Sequence, residues 1–378
     1  MKIDEYLKAL VERGGSDLHL KVGRPPLMRI KGELMPAEYP PVGRDEIKEF
    51  LLPMLSDSQI KKFEAERELD FSYFVEGLAR FRGNMFYQMG SMGAVFRAIP
   101  MEIKTLDQLA LPEVFKELVF RNQGIILVTG PTGSGKSTTL AAMIDHLNEN
   151  RPLHIITIED PLEFVHKDKK CTINQREIGF DTLSFSAALK RALRQDPDVI
   201  LVGEMRDAET ITIAMTAAET GHLVFSTLHT NDAKQSIDRI IDTFSPEQQH
   251  QVRMQLAMTL CATVSQRLIK SADGKGRVAV IEVMINTPSI RKMIEEGKTG
   301  AIDKMINDSA SLYKMQTMNQ HLLQLAKNRV ITKEDALSVS NNPNDLRIMF
   351  QTQMSGTDAQ KPASGSPGVS GTGRTYGK

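Results

Sequence analysis

The apolar positions repeat with different spacings in the two halves of the chain. Residues 3–13 repeat apolar side chains at helical spacing, whereas apolar and polar residues mostly alternate from there to residue 99. The predicted elements are helices at 3–13 and 56–67 and strands at 18–22, 27–30, 69–75, 78–87 and 92–99. Because short turns join the last three strands, we predict an antiparallel sheet with a few helices, forming one α+β domain over residues 1–100.

From residue 113 onward, helical and strand patterns alternate. The predicted helices are 113–121, 136–149, 184–194 and 207–219, and the predicted strands are 124–129, 153–158, 198–202 and 223–227. This alternation is typical of an α/β domain, in which helices cover both faces of a mainly parallel sheet.

The borders of this α/β domain follow from composition. The segment 101–112, between two prolines, is a predicted linker, and the α/β domain is expected to span 113–351 with a helical part from about 288. Residues 352–378 are predicted to be a disordered tail, because Ser, Gly, Thr and Pro dominate there and apolar side chains are scarce.

Charge and cysteine content exclude several classes of function. The net charge is +0, so we expect no nucleic-acid partner. The two cysteines, Cys171 and Cys261, fit a reducing compartment and are too few for a four-cysteine zinc site. No apolar run approaches the ~20 residues that span a bilayer, and the N-terminus lacks an apolar signal core. Any membrane role is therefore expected to be peripheral, through a partner.

A phosphate-binding loop is the strongest chemical signal. GPTGSGKST at 130–138 matches G-x-x-x-x-G-K-[ST] and lies between a predicted strand and a predicted helix. Backbone N–H groups and the helix dipole would surround the phosphates, while Lys136 would reach the β- and γ-phosphates and Ser137 would hold Mg²⁺. We therefore predict ATP and Mg²⁺ as ligands. The expected nucleotide contacts are Gly130, Thr132, Gly133, Ser134, Gly135, Lys136, Ser137 and Thr138.

Two acidic segments follow neighbouring strands. Glu159, Asp160 and Glu163 come at the end of strand 153–158, where parallel sheets bind ligands. They either orient and deprotonate water for ATP hydrolysis or are simply solvated loop charges. Glu204 follows strand 198–202 at the place of a Walker B acid, after a glycine, and would act on Mg²⁺ through water.

Two further sets of residues have competing interpretations. His222 and His229 bracket a predicted strand and are either structural or sense the γ-phosphate, while a metal site is disfavoured because no third ligand is spaced nearby. Arg80 and Arg82 share one face of a strand, and Arg97 lies on a nearby strand. These arginines either form a surface salt-bridge face or complete a phosphate site elsewhere, in the same or a neighbouring subunit.

Six segments together resemble the type IV pilus retraction ATPases, the PilT/PilU family of the secretion ATPase superfamily. They are GGSDLHL (14–20), ARFRGNMF (79–86), GPTGSGKSTT (130–139), ITIEDPLEFVH (156–166), LRQDPDVILVGEMRD (193–207) and ETGHLVFSTLHTN (219–231). The resemblance, over about residues 1–350, implies an N-terminal PAS-like domain followed by a RecA-like P-loop ATPase domain. It also implies a cytoplasmic homohexamer, peripheral at the inner membrane, that uses ATP hydrolysis to depolymerise pilin and drive twitching motility.

The resemblance also implies partners and residue roles. The expected partners are an inner-membrane pilus platform protein and a paralogous retraction ATPase. Glu163 would be the catalytic glutamate and Glu204 the Walker B glutamate. His222 and His229 would form the family's His box, and Arg80, Arg82 and Arg97 would face nucleotide.

Different segments of the chain resemble different branches of the family. The phosphate loop and GEMRD resemble the principal retraction motor, whereas residues 273–288 and 331–350 resemble the accessory motor. At 289–296 the family's C-terminal motif AIRNLIRE is altered, with Lys292 in place of Asn and Glu295 in place of the second Arg. A DNA-translocating RecA-like ATPase and a non-hydrolysing ring subunit are the alternatives. Neutral charge disfavours the first, and intact Lys136, Glu163 and Glu204 disfavour the second.

Overall fold

The computed structural model describes residues 2–99 and 102–357. Its helices, in chain order, are α1 (Lys2–Glu12), α2 (Arg44–Leu51), α3 (Asp57–Glu66), α4 (Val114–Leu118), α5 (Lys136–Asn150), α6 (Phe185–Ala192), α7 (Ala208–Glu219), α8 (Ala233–Asp242), α9 (Pro246–Thr259), α10 (Pro288–Glu295), α11 (Ile302–Asp308), α12 (Ala310–Tyr313), α13 (Met318–Lys327), α14 (Lys333–Val339) and α15 (Pro343–Thr357). Its strands are β1 (Gly15–Lys21), β2 (Leu27–Ile30), β3 (Glu33–Pro36), β4 (Glu68–Val75), β5 (Ala79–Gln88), β6 (Ser91–Ile99), β7 (Gly124–Thr129), β8 (His154–Glu159), β9 (Thr172–Glu177), β10 (Val199–Val202), β11 (Leu223–Leu228), β12 (Leu260–Lys270) and β13 (Arg277–Ile285).

The first sheet is antiparallel, as predicted, with strand order β3-β2-β1-β6-β5-β4. Along β5, small and apolar residues point inward and alternate with Arg80 and Arg82, which point outward. Gly83 is required there because a Cβ would lie 2.5 Å from the Phe71 ring. Strand β3 and helix α2 were not predicted from the sequence. The two arginines therefore lie on the outer face of a well-packed sheet.

The second sheet is mixed, with strand order β13-β12-β7-β11-β10-β8-β9. Its neighbouring strands are parallel except for β13, which pairs antiparallel with β12. The central strands are fully buried, which explains their unbroken apolar sequences. The predicted mainly parallel sheet is confirmed. Strands β9, β12 and β13 were not predicted from the sequence, and β9 is a largely polar edge strand.

The C-terminal part is helical, as predicted. Helices α13–α15 pack a small apolar cluster against β12 and β13, including Ile269, Val280, Leu322 and Leu346. Helix α15 runs to Thr357, beyond residue 351, where the ATPase domain was expected to end. The rest of the predicted tail, 358–378, lies outside the described residues. Between the two sheets, residues 102–113 contain no helix or strand.

No helix within residues 2–99 and 102–357 combines the length and the apolar character needed to cross a membrane.

Candidate nucleotide site

The loop between β7 and α5 has the backbone that a phosphate cradle requires. Gly130, Gly133 and Gly135 have φ angles of 145°, 78° and 90°, in the region that favours glycine. At Gly130 the space is also closed, because a Cβ would lie 2.2 Å from the Gln266 carbonyl oxygen. Ser134 Oγ is buried, and no other atom of the described chain hydrogen-bonds to it. The loop is thus a close-fitting turn at the N-terminus of a 15-residue helix.

Lys136 is held over this loop. Its Nζ donates to the carbonyl oxygens of Gly130 at 2.9 Å and Pro131 at 3.1 Å. Burial lowers the pKa of Lys136, and the nearby carboxylates of Glu163 and Glu204 oppose that shift. The ammonium therefore lies within the field of both predicted catalytic acids.

One cavity of about 530 Å³ joins the predicted elements at the C-terminal ends of the strands. Its lining includes Thr132, Gly133, Gly135, Lys136, Ser137, Thr138, Glu159, Asp160, Glu163, Glu204 and His229. The structure thus brings together the phosphate loop, both acidic segments and one of the two histidines. Ser137 and Glu204 supply oxygen donors of the kind Mg²⁺ prefers, and therefore the residues present fit that ion.

Glu204 is the centre of a small charged network. Its Oε1 lies 2.7 Å from Arg206 Nε, and its Oε2 lies 3.5 Å from His229 Nε2. Thr227 Oγ1 donates to the carbonyl oxygen of Gly203 at 2.6 Å and so fixes the residue that precedes Glu204. Arg206 was not predicted as a site residue, although its position two residues after the Walker B acid was the available signal.

His222 does not lie in this site. It precedes β11, whereas His229 follows it, and a six-residue strand at ~3.3 Å per residue separates them by about 20 Å. Its Nδ1 lies 2.9 Å from the Ala217 carbonyl oxygen, near the end of α7. The two histidines therefore lie at opposite ends of the same strand, and of the two only His229 lines the cavity of this chain.

Glu159 anchors the acidic segment after β8. Its carboxylate accepts hydrogen bonds from Thr157 Oγ1 at 2.7 Å, Gln175 Nε2 at 3.4 Å and the backbone N–H of Glu163. Burial raises the pKa of Glu159 to about 7, against the effect of these hydrogen bonds. Glu159 thus binds the backbone of the segment that carries Glu163, whereas Glu163 itself is exposed to the cavity.

The three predicted arginines do not line the cavity of their own chain. Arg80 Nη2 lies 2.5 Å from Glu177 Oε2 at the end of β9, so Arg80 is engaged within the chain. Arg97 Nε donates to Asp17 Oδ1 at 2.8 Å, although most of its side chain is exposed. Arg82 and Arg97 lie directly opposite each other on β5 and β6, and both are exposed. In this structure, none of the three arginines therefore lines the nucleotide cavity of its own subunit.

A loop between a buried parallel strand and a helix, with acids at the ends of neighbouring strands, defines a P-loop nucleoside triphosphatase. A family model described as "Type II/IV secretion system protein" matches residues 97–353. The chain is 49% identical over 346 residues to the type IV pilus retraction ATPase PilT of Pseudomonas aeruginosa, covering 92% of this chain and 100% of that protein.

Two further comparisons agree. The chain is 43% identical over 351 residues to the type IV pilus ATPase PilU of P. aeruginosa, covering 93% of this chain and 92% of that protein. A crystal structure of the pilus retraction motor PilT with bound ADP aligns with a TM-score of 0.84 at 48% identity, covering 91% of this chain and 98% of that one. The chain belongs to the Type II/IV secretion system protein family and, within it, to the PilT/PilU type IV pilus ATPases.

Proposed function

We propose that this protein is an ATP-driven motor for type IV pilus retraction. The observation that carries the proposal is the convergence of Lys136, Glu163 and Glu204 on one cavity, in a chain whose similarity to a retraction ATPase extends over nearly its full length. The motor works as a homohexamer on the cytoplasmic face of the inner membrane. Its target is a platform protein that releases pilin subunits, and a paralogous retraction ATPase is a second partner.

The cavity residues divide the work of hydrolysis. Glu163 accepts a proton from a water molecule while the oxygen of that water bonds to the γ-phosphorus. The bond between the γ-phosphorus and the bridging oxygen of ADP breaks in the same step. Lys136 neutralises charge on the transferring phosphate. Ser137 directly and Glu204 through water would hold Mg²⁺, which supplies further charge neutralisation when bound. In this proposal His229 responds to loss of the γ-phosphate, and its distance of 3.5 Å from Glu204 supports that role.

The N-terminal sheet, a PAS-like domain in this proposal, contributes to the site of a neighbouring subunit's RecA-like domain. Arg82 and Arg97 face each other directly on the exposed side of β5 and β6. Arg97 is balanced within the chain by Asp17. Arg82 has no ion pair among the described residues, so a neighbour's nucleotide phosphates would supply its counter-charge. Because Arg80 is also paired, with the buried Glu177, we assign the intersubunit role to Arg82, with Arg97 beside it.

A pilus-retraction assay tests the function directly. Strains lacking the principal motor, the accessory motor or both are complemented with this chain, and twitching and retraction velocity are measured. Restored retraction in the double deletion supports an autonomous motor, whereas rescue of the accessory deletion alone assigns the chain to the accessory branch. No rescue of any strain, together with ATPase activity that DNA stimulates, would favour the DNA-translocating alternative.

A further inference from the structure

Gln266 lies directly beneath the phosphate loop and is only 2% exposed. It belongs to β12, which runs parallel to β7 with Ser265 paired to Thr129, the last residue before the loop. Gln266 therefore lies one step beyond the end of β7, beside Gly130. Its carbonyl oxygen occupies the space where a Cβ of that glycine would be, at 2.2 Å. The loop and β12 thus touch through backbone atoms.

The side-chain amide of Gln266 connects the loop to the helix that follows it. Its Nε2 donates to the Ser134 carbonyl oxygen at 2.8 Å. Its Oε1 accepts from Thr139 Oγ1, also at 2.8 Å, in the first turn of α5. Because a carbonyl oxygen only accepts, the nitrogen must face Ser134, and the orientation of the amide is fixed. Thr139 is 1% exposed, so both hydrogen bonds are shielded from water.

This arrangement fixes one peptide plane of the cradle. In a trans peptide, the carbonyl oxygen of one residue and the N–H of the next point in opposite directions. Holding the Ser134 oxygen toward β12 therefore turns the N–H of Gly135 away from β12. Gly135 lines the nucleotide cavity. The backbone N–H groups of a phosphate loop donate hydrogen bonds to the phosphate oxygens.

We propose that Gln266 is a positioning residue of the nucleotide site, which orients the Ser134–Gly135 peptide for phosphate binding. The inference rests on the nucleotide-binding role of the loop and is independent of pilus retraction. An amide suits the position because it donates and accepts without a charge that would be costly to bury. Without the amide, the loop is free to rotate this peptide and present an oxygen to the phosphates instead.

The test compares, in the full-length protein, a substitution at Gln266 with one at Asn286, which follows β13 and contacts the first residue of β12. Gln266→Met keeps the length of the side chain and removes both hydrogen bonds. The control is Asn286→Leu, because the Asn286 amide donates to the carbonyl oxygens of Ala257 at 2.9 Å and Leu260 at 2.7 Å, away from the loop. For each variant, the Kd of a fluorescent ADP analogue, the KM and kcat for ATP and the unfolding temperature without nucleotide are measured.

Gln266→Met is expected to raise the Kd for ADP and the KM for ATP by about tenfold, in line with the loss of a buried hydrogen-bond partner. Asn286→Leu is expected to lower the unfolding temperature and leave both constants within twofold. The inference is overturned if Gln266→Met lowers the unfolding temperature with unchanged Kd and KM, because the role is then only structural.

A second variant applies if Gln266→Met does not fold. Thr139→Val removes the donor to Gln266 Oε1 and is expected to weaken ADP binding by about threefold. Unchanged binding in that variant would also overturn the inference. Lys136→Ala tests the nucleotide site independently of Gln266. If Lys136→Ala loses ADP binding while Gln266→Met binds ADP normally, the loop is still the nucleotide site and only the role of Gln266 is rejected.

Discussion

Arg80 on β5 and Glu177 at the end of β9 form an ion pair that joins the two sheets, with Nη2 and Oε2 2.5 Å apart. Glu177 is 3% exposed and also accepts a hydrogen bond from Ser72 Oγ at 3.0 Å. Residues 97 positions apart in sequence are thus coupled in a site with little access to water. The N-terminal sheet is thereby attached to the edge strand of the nucleotide-binding sheet.

The first prediction concerns the strength of this attachment. Arg80→Met leaves the buried Glu177 carboxylate with the Ser72 hydroxyl and should lower the free energy of unfolding by about 1–3 kcal/mol. Urea unfolding of Arg80→Met, Glu177→Gln and the double variant should give a coupling of about 1 kcal/mol or more. Arg82→Met, on the same face but exposed, is the control and should change stability by less than about 0.5 kcal/mol. Strict additivity of the two variants would mean that the pair contributes no coupling.

The second prediction concerns the phosphate loop. Lys136→Ala should abolish ATP turnover, because the point charge on the transferring phosphate is lost. The fold should survive, since the hydrogen bonds of Lys136 go to two carbonyl oxygens of the loop itself. Phosphate release measures the effect, and an unchanged circular dichroism spectrum is the control. Normal turnover would remove the loop from the active site.

The third prediction separates the two acids at the cavity. Glu163→Gln should bind ATP normally and hydrolyse it about 10²–10⁴-fold more slowly, because an amide cannot accept the proton of water. Glu204→Gln should mainly raise the Mg²⁺ concentration needed for half-maximal activity. Steady-state rates over a Mg²⁺ titration distinguish them. A full rate in Glu163→Gln with a Mg²⁺-independent loss in Glu204→Gln would reverse the two roles.

The sequence predicts those parts of the site that depend on local pattern. Buried strands with continuous apolar runs, the glycine loop and the acids after strands were all identifiable, because each is encoded within about ten neighbouring residues. Pairings between residues that are distant in sequence could not be identified in this way. Arg80 and Arg82 have the same alternation on β5, yet only Arg80 meets Glu177, on a strand that the pattern did not reveal. Gln266 was not identified as a site residue because β12, the strand that carries it, was not predicted.

The fourth prediction is a pH dependence of stability. Glu282 on β13 is buried, and its carboxylate accepts from the backbone N–H groups of Ala233, at 2.9 Å, and Met318. Burial raises its pKa from 4.5 to about 7, and the negative charges of Asp232 and Asp303 add to the shift. Between these pH values the folded state binds a proton that the unfolded state does not. The contribution of Glu282 to the free energy of unfolding should therefore fall as the pH rises from 4.5 to 7 and stay constant at higher pH.

Glu282→Gln tests this sign. The variant should remove the negative contribution of Glu282 to the slope of the free energy of unfolding between pH 5 and 7, measured by urea unfolding at several pH values. The remaining slope combines Glu159, whose raised pKa of about 7 acts in the same direction as that of Glu282, with His166 and His321, whose pKa burial lowers to about 4 and which act in the opposite direction. An unchanged slope in Glu282→Gln would show that Glu282 does not titrate in this range.

The fifth prediction concerns the exposed arginines on the N-terminal sheet. If Arg82 acts on the nucleotide of a neighbouring subunit, hydrolysis requires the ring, and the ATPase rate per subunit should rise steeply with protein concentration. Arg82→Ala should lower the rate sharply, because a guanidinium matches phosphate oxygens and stabilises charge that develops in the transition state. Its stability should change little, since the side chain is exposed.

Mixing two inactive variants provides the decisive experiment. In rings that contain Arg82→Ala and Lys136→Ala subunits, some interfaces pair an intact phosphate loop with an intact arginine from the neighbour. Activity should then partly return, and it should depend on the mixing ratio. Mixing Lys136→Ala with Glu163→Gln is the control, because both changes lie at the same cavity and no interface regains a complete site. No recovery in rings confirmed to be mixed would place the arginine's action within its own subunit, and full turnover by an isolated monomer would exclude a role for the neighbour.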